Sequence, residues 1–275
     1  MLVYSLYKKD KFEAGLRIKT LRILEFSVEP VIEIRNLHAE YRAGREKTVA
    51  LEGISLRAYK GEIFGFIGPN GAGKTTTINI LLGFMYPTNG DAVIFGEKSS
   101  SLKNRFRIGY LPEIAYYYPF LTPFKILTMY GKLFRIDKTT LNNRINSVLT
   151  TVGLTDKENT SIRNLSKGMQ QRLGLAQAII NDPEVLILGE PNSGLDPIGK
   201  REMRDIILEL KNRGKTIFFS SHELSEVELI CDRVGIIDRG QILKTEKLSQ
   251  IVDKIDAKRT VLEDIFVRTI KDKRA

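Results

Sequence analysis

A glycine-rich run in the first third of the chain carries the residue types and spacing best suited to chemistry. The run is Gly68-Pro69-Asn70-Gly71-Ala72-Gly73-Lys74-Thr75, which fits G-x-x-x-x-G-K-[ST] at every fixed position. Its glycines permit backbone turns closed to residues with a Cβ, so successive N–H groups can point inward at an anion. Lys74 adds a cation for phosphate, and the Thr75 hydroxyl is an oxygen ligand for Mg²⁺. The pattern therefore predicts a phosphate-binding loop.

The stretches on either side of this run predict the elements that must position it. Residues 62–67 are mostly apolar, as in a short buried strand, and residues 75–82 open a helix. That helix would direct the positive end of its dipole at the loop, near Thr75 and Thr76. The motif in this context favours phosphate binding over the alternative, a glycine-rich turn that binds nothing.

Composition limits the class of protein. Of 275 residues, 42% are hydrophobic and 28% are charged, as in a soluble globular protein. There is no run of about 18 apolar residues, so we expect no transmembrane helix. A single cysteine, Cys231, excludes an intramolecular disulfide and fits a reducing, cytoplasmic setting. Two histidines and one cysteine exclude a usual zinc site.

The chain is basic, with a formal net charge of +10. Such a charge is compatible with nucleic acid, an anionic lipid surface or a phosphorylated ligand. The basic residues are spread along the chain, with local clusters at 8–11 and 271–274. We interpret these clusters as solvated termini in preference to a dedicated membrane or nucleic-acid surface, and we expect no nucleic acid partner.

Strand patterns alternate with helical patterns, which predicts a mainly parallel α/β sheet. Thr122 followed by Pro123 is typical of a helix N-terminus, and Gly214 of a helix end. Predicted strands are at 31–37, 49–58, 92–95, 107–113, 184–188, 216–220 and 233–238, and predicted helices at 142–152, 169–180, 200–212 and 223–230. We read Tyr41 as part of a polar segment after the first strand.

These patterns divide the chain into three parts. Residues 31–245 form the main folded unit, with a mostly helical insert at about 114–180. Residues 246–275 form a helical tail with an apolar stripe. Residues 1–30 are an extension, either a short amphipathic segment or translated sequence upstream of the natural start. His38 and Cys231 have no motif support, and we take both as structural.

With these elements placed, residues 31–245 resemble the nucleotide-binding subunits of ATP-binding-cassette (ABC) transporters. The resemblance rests on several motifs in one order: the glycine-rich run, Leu165-Ser166-Lys167-Gly168-Met169-Gln170, Leu186-Ile187-Leu188-Gly189-Glu190-Pro191 and His222. It implies a P-loop NTPase fold. That fold has a mainly parallel sheet core, an antiparallel β subdomain and a helical insert subdomain.

The resemblance also implies ATP and Mg²⁺ as ligands and gives roles to single residues. Tyr41 would stack on adenine, although an exposed tyrosine without a ligand is the alternative. Residues 68–76 would bind the phosphates, with Thr75 and Glu113 at the metal. Glu190 would orient or deprotonate the attacking water, and His222 would contact the γ-phosphate.

Ser166 and Gly168 would contact ATP held by a second cassette, identical or different. Lys167 and Met169 depart from the LSGGQ signature of the family. More seriously, Gly189 stands where the family has the Walker B aspartate, which helps to hold Mg²⁺. Glu113, where the family usually has glutamine, resembles the branch that serves bacterial drug, polysaccharide and related exporters.

The implied function is an ATP-binding and ATP-hydrolysing subunit. It would power transport, and more specifically export, from the cytoplasmic side of the cell membrane through separate membrane permease subunits. A hydrolysis-deficient partner cassette is the alternative, because of Gly189. A soluble ABC protein acting on nucleic acid or ribosomes is a third class, but it usually carries two cassettes or long coiled-coil inserts.

An aromatic cluster lies where the family receives a helix from the membrane subunit. Its members are Tyr116, Tyr117, Tyr118, Phe120, Phe124, Tyr130 and Phe134. Aromatic residues dominate both interfaces and cores, so permease docking and core packing of the helical insert stay open as alternatives.

Overall fold

The computed structural model describes residues 29–44, 46–249 and 261–274. The described strands form two sheets. An antiparallel sheet has the order β2-β1-β4-β5. Its strands are β1 (Pro30–Ala43), β2 (Glu46–Tyr59), β4 (Asn89–Ile94) and β5 (Glu97–Lys98).

The second sheet has six strands and carries the glycine-rich loop. Its order is β10-β9-β3-β8-β7-β6, and all neighbours are parallel except β10, which pairs antiparallel with β9. The strands are β3 (Ile63–Ile67), β6 (Ile108–Leu111), β7 (Val185–Gly189), β8 (Thr216–Ser221), β9 (Arg233–Asp238) and β10 (Gln241–Lys247). A mainly parallel core with a separate antiparallel sheet confirms the predicted fold class.

Four of the described helices begin at a residue whose side chain caps the helix. Thr122 accepts a hydrogen bond from the Lys125 N–H, as predicted, and Asp137, Ser166 and Asp196 cap later helices in the same way. The helices are α1 (Lys74–Leu81), α2 (Pro123–Leu133), α3 (Lys138–Thr151), α4 (Lys167–Ile179), α5 (Pro197–Asn212), α6 (Leu224–Ile230) and α7 (Val261–Arg274). Helices α2, α3 and α4 lie between β6 and β7 in the chain. None of the helices in the described ranges combines the length and the apolar character needed to cross a membrane.

The parallel strands of the six-stranded sheet are largely buried on both faces, which explains their nearly continuous apolar sequences. Leu186, Leu188 and Phe219 pack in one cluster with the helices, whereas Phe64 and Phe218 pack in a second cluster with the antiparallel sheet. Alternate residues of each strand point to opposite faces, so one strand serves both clusters. Burial on both faces holds the strand ends in a fixed arrangement.

Some element boundaries differ from the sequence predictions. Pro30 opens β1 instead of closing the extension, and β1 continues through Tyr41, which pairs with Thr48 of β2. Helix α5 begins at Pro197, because Asp196 accepts a hydrogen bond from the Gly199 N–H. Strand β6 ends at Leu111, so Glu113 lies in the following loop. Strand β10 runs through Lys247, into the predicted tail. The predictions for residues 1–28 lie outside the described residues.

Candidate functional site

A cavity of about 400 Å³ lies where the carboxyl ends of parallel strands meet. Four parallel strands of the six-stranded sheet reach it: β3 through the glycine-rich loop, β6 through Tyr110, β7 through Gly189 and β8 through Ser220. The rest of the lining is Tyr41, Thr48, Val49, Ala50, Pro69, Asn70, Gly71, Ala72, Gly73, Lys74, Thr75, Thr76, Ile78, Glu113, Glu190 and His222. Crevices at the carboxyl ends of strands are the usual ligand sites of open α/β sheets.

Close packing explains two glycines of the loop. A Cβ on Gly68 would lie 2.3 Å from the backbone oxygen of Ile237. Gly73 has a φ of 110°, and its Cβ would lie 2.8 Å from the backbone oxygen of Ala50. The loop is therefore pressed against neighbouring strands, and α1 starts directly behind it at Lys74. This arrangement directs the N-terminus of α1 at the cavity, as an anion site requires.

The Lys74 side chain is buried in the loop that carries it. Its Nζ donates hydrogen bonds to the carbonyl oxygens of Gly68 at 2.6 Å and Pro69 at 3.3 Å. The same ammonium lies 3.6 Å from Oε1 of Glu190, and both residues are only 8% exposed. A buried cation therefore faces both a carboxylate and the cavity.

Glu190 is held from two sides. Its Oε2 accepts a hydrogen bond from the His222 N–H at 3.2 Å and lies 2.8 Å from Nδ1 of the same residue. The Glu190 N–H donates to the Ser220 carbonyl oxygen at 3.0 Å, with φ of Glu190 at 48°. The structure thus brings the predicted residues Lys74, Glu190 and His222 together at one end of the cavity.

Gly189 and Glu113 are neighbours across the ends of β7 and β6. A Cβ on Gly189 would lie 3.3 Å from the Glu113 backbone nitrogen and 3.4 Å from the Leu111 oxygen. The Glu113 residue is exposed. Burial raises the pKa of Tyr110, and the negative charge of Glu113 raises it further. The negative charge of Glu113 therefore acts on Tyr110, a residue of the cavity wall.

Tyr41 lies at the rim of the cavity and is 46% exposed. Its hydroxyl is 3.1 Å from Oγ1 of Thr76. Sequence reasoning missed the wall formed by Thr48, Val49 and Ala50, because nothing in that strand pattern marks a binding surface. Tyr110 lies inside the predicted strand at 107–113, three residues before Glu113, and nothing in that pattern marks it as a cavity residue.

Ser166 and Gly168 do not line this cavity. The exposed Ser166 caps α4, and its Oγ accepts a hydrogen bond from the Met169 N–H at 3.2 Å. Lys167 lies against the loop that precedes α5, since a Cβ on Gly194 would be 1.8 Å from its Nζ. The two residues predicted to contact a nucleotide in a second copy are therefore separate from the cavity of their own chain.

The donor atoms at the cavity fit Mg²⁺. Thr75 offers a hydroxyl, and Glu113 and Glu190 offer carboxylates. Among the described residues, no three His, Cys, Asp or Glu side chains form a group that could hold a metal by themselves. Mg²⁺ is commonly held by one or two carboxylates together with the phosphates of a substrate.

The aromatic cluster divides into two sets. Tyr116, Tyr118 and Phe120 are 87%, 68% and 70% exposed. Tyr117 instead packs against the core, and its hydroxyl donates a hydrogen bond to Oε1 of Gln177 at 2.8 Å. Phe124, Tyr130 and Phe134 pack against the same core. Core packing thus accounts for only part of the cluster.

Comparison with known proteins agrees with this geometry. The family model described as ABC transporter matches residues 51–193. An ABC transporter ATP-binding protein of Synechocystis sp. is 44% identical over 238 residues, covering 85% of this chain and 67% of the relative. The bacitracin transport ATP-binding protein BcrA of Bacillus licheniformis is 45% identical over 204 residues, covering 73% and 65%. The Nod factor export ATP-binding protein I of Cupriavidus pinatubonensis is 31% identical over 246 residues, covering 89% and 74%.

Solved structures show the same architecture. An ATP-binding subunit of an ABC transporter superimposes with a TM-score of 0.75 at 27% identity, covering 87% of this chain and 99% of the other. A dimeric cassette, MJ0796, bound to ADP and Pi in a post-hydrolysis state, gives a TM-score of 0.72 at 25% identity, covering 79% and 98%. The matched family model, the relatives and these structures show that the chain belongs to the ABC transporter family as an ATP-binding protein.

Proposed function

We propose that this chain binds ATP with Mg²⁺, hydrolyses it and thereby powers export through a separate membrane permease. The observation that carries the proposal is the meeting of Lys74, Glu190 and His222 at one end of the phosphate-loop cavity. A carboxylate held there can take a proton from water, whereas an isolated phosphate loop supports binding alone. We further propose residues 31–245 as the cassette and 114–180 as its helical insert.

Each group of the cavity has a task in this proposal. The loop N–H groups of residues 68–76 and Lys74 bind the phosphates, while Tyr41 at the rim stacks on the adenine. Glu190 orients the attacking water and accepts its proton, and His222 contacts the γ-phosphate. When bound, Mg²⁺ neutralises phosphate charge, and Thr75 and Glu113 are the residues that would hold it.

A second candidate function is a cassette that binds ATP without hydrolysing it. Gly189 favours this candidate, because it provides no side-chain oxygen at the end of β7. The position of Glu190 between Lys74 and His222 favours hydrolysis instead, since its carboxylate is fixed by contacts from two sides.

The proposal includes two kinds of partner. Ser166 and Gly168, which lie outside the cavity of their own chain, would contact ATP in a second cassette, and the dimeric relative supports such pairing. The exposed Tyr116, Tyr118 and Phe120 would contact the permease at the cytoplasmic side of the cell membrane. The relative named for Nod factor export supports export over import.

Glu190→Gln separates binding from hydrolysis, because the amide keeps the shape of the carboxylate but cannot accept the proton. We expect ATP affinity close to that of the natural chain, ATP turnover lower by about 100-fold or more, and more dimer with ATP in sedimentation. The control is Glu184→Gln, which changes an exposed glutamate paired with Arg107 away from the cavity. Equal turnover in the natural chain and Glu190→Gln would contradict the hydrolytic proposal.

A further inference from the structure

Gly189 leaves the end of β7 without a carboxylate, and the nearest backbone beyond it is that of Glu113. We infer that the two positions are one compensated arrangement, in which Glu113 supplies at the metal the negative charge that Gly189 lacks. This inference rests on the proposed ATP site. On this inference the metal-facing carboxylate is at position 113 instead of position 189, so the cassette keeps its Mg²⁺ affinity.

In the described part of the chain, two residues with carboxylates line the cavity, Glu113 and Glu190. Glu190 is engaged by Lys74 at 3.6 Å and by His222 at 2.8 Å. The Glu190 carboxylate therefore already has two partners. Among the described residues, Glu113 has no hydrogen bond or ion pair, and its exposed side chain is free to bind a cation.

Backbone geometry connects the two positions. Strands β6 and β7 are parallel neighbours, and Leu111 is paired with Leu188, so the chain leaves both strands side by side. A Cβ at position 189 would lie 3.3 Å from the Glu113 nitrogen, which is closer than side chains usually approach. The missing side chain therefore lets the loop carrying Glu113 lie against the end of β7. Glu113 and Tyr110 both line the cavity.

The compensation makes a reciprocal prediction. Glu113→Gln removes the free carboxylate and should weaken metal binding, because the amide oxygen is a ligand without charge. Gly189→Asp in the natural background should gain little, because a carboxylate is already present and the new Cβ crowds the loop. Combined with Glu113→Gln, however, Gly189→Asp should restore metal binding.

Calorimetry with a non-hydrolysable ATP analogue tests this prediction. The analogue is titrated into the full chain with EDTA and again with Mn²⁺, and the ratio of the two Kd values is the metal-dependent gain in affinity. We expect Glu113→Gln to lower this gain by about 10–100-fold. Adding Gly189→Asp to Glu113→Gln should restore the gain. The control is Gly189→Ala in the same Glu113→Gln background, which adds the Cβ without the carboxylate and should restore nothing.

The outcomes separate the inference from the function on which it rests. If the analogue binds the natural chain in neither condition, the proposed ATP site is wrong. If it binds and Glu113→Gln keeps the natural gain, Glu113 does not hold the metal and the inference is overturned. Because Glu113 is exposed in a loop, this variant should fold normally. A Gly189→Asp, Glu113→Gln double variant no better than the alanine control would also overturn the inference.

Discussion

At the scale of single residues, Gly68 shows how packing fixes the phosphate loop. It follows β3 directly, and a Cβ there would meet the backbone oxygen of Ile237 at 2.3 Å and its Cγ2 at 2.9 Å. Backbone cannot move aside as a flexible side chain can. Any side chain at this position would therefore push the loop away from β9, along with the loop residues that line the cavity.

We accordingly expect Gly68→Ala to lower ATP affinity by about tenfold or more, equivalent to about 1.4 kcal/mol. Gly61→Ala is the control, because Gly61 has a φ of 77° but open space around its Cβ, and it lies outside the cavity. That control should lower the free energy of unfolding by about 1–2 kcal/mol without changing ATP affinity. Calorimetric titration and thermal unfolding of both variants check the prediction. Natural ATP affinity in Gly68→Ala would show that the loop tolerates the shift.

The sequence predicts the residues of the loop but not the contact between Gly189 and Glu113. The loop is readable because one short run of the chain carries its whole chemistry. Gly189 and Glu113 are far apart in sequence and meet only because β6 and β7 are neighbours. In the sequence, Gly189 therefore looks like the loss of a family residue, whereas the structure places the backbone of Glu113 beside it.

At the scale of elements, the segment that follows β6 has adjacent aromatic residues that face opposite surroundings, the core and the solvent. Tyr117 packs inward and donates to Gln177 of α4, and burial raises its pKa. Tyr116 and Tyr118, on either side, point to solvent, and the rings of Tyr118 and Phe120 lie 5.6 Å apart. Exposed apolar rings grouped in this way are typical of a protein interface.

Replacing Tyr116, Tyr118 and Phe120 together by serine should lower co-purification with the permease while leaving the Tm of the isolated chain nearly unchanged. Tyr117→Ser is the matched control and should lower the free energy of unfolding by about 3 kcal/mol, because it removes a packed ring and its hydrogen bond. Thermal unfolding and pull-down from membranes measure the two effects. A large drop in Tm for the triple variant would assign these residues to the core instead.

Element types follow well from periodicity, but some boundaries do not. Tyr41 was placed outside β1 because polar residues surround it, although Tyr41 and Thr48 form a paired position of the antiparallel sheet. One solvated face lets an antiparallel strand continue through polar residues. The start of α5 was predicted three residues too late, although Asp196 followed by Pro197 is a common cap and first helical residue.

At the scale of the whole molecule, the strand order decides which motifs meet. Placing β8 between β3 and β7 brings His222 to Glu190, and β7 beside β6 brings Gly189 to Glu113. Ser166 at the start of α4 belongs to another surface. The chain thus presents a cavity and a separate signature segment, as expected of a cassette that completes its site with a second copy.

The central claim is that this chain binds ATP through the loop at 68–76, and calorimetric titration of ATP in the presence of Mg²⁺ tests it most directly. Lys74→Ala should weaken binding by about 10–100-fold, because it removes a charged donor to the phosphates. Lys103→Ala is the control, since that exposed lysine also pairs with a glutamate but lies away from the cavity. We predict natural affinity for Lys103→Ala and a clear loss for Lys74→Ala. The same dissociation constant for all three proteins would contradict the account.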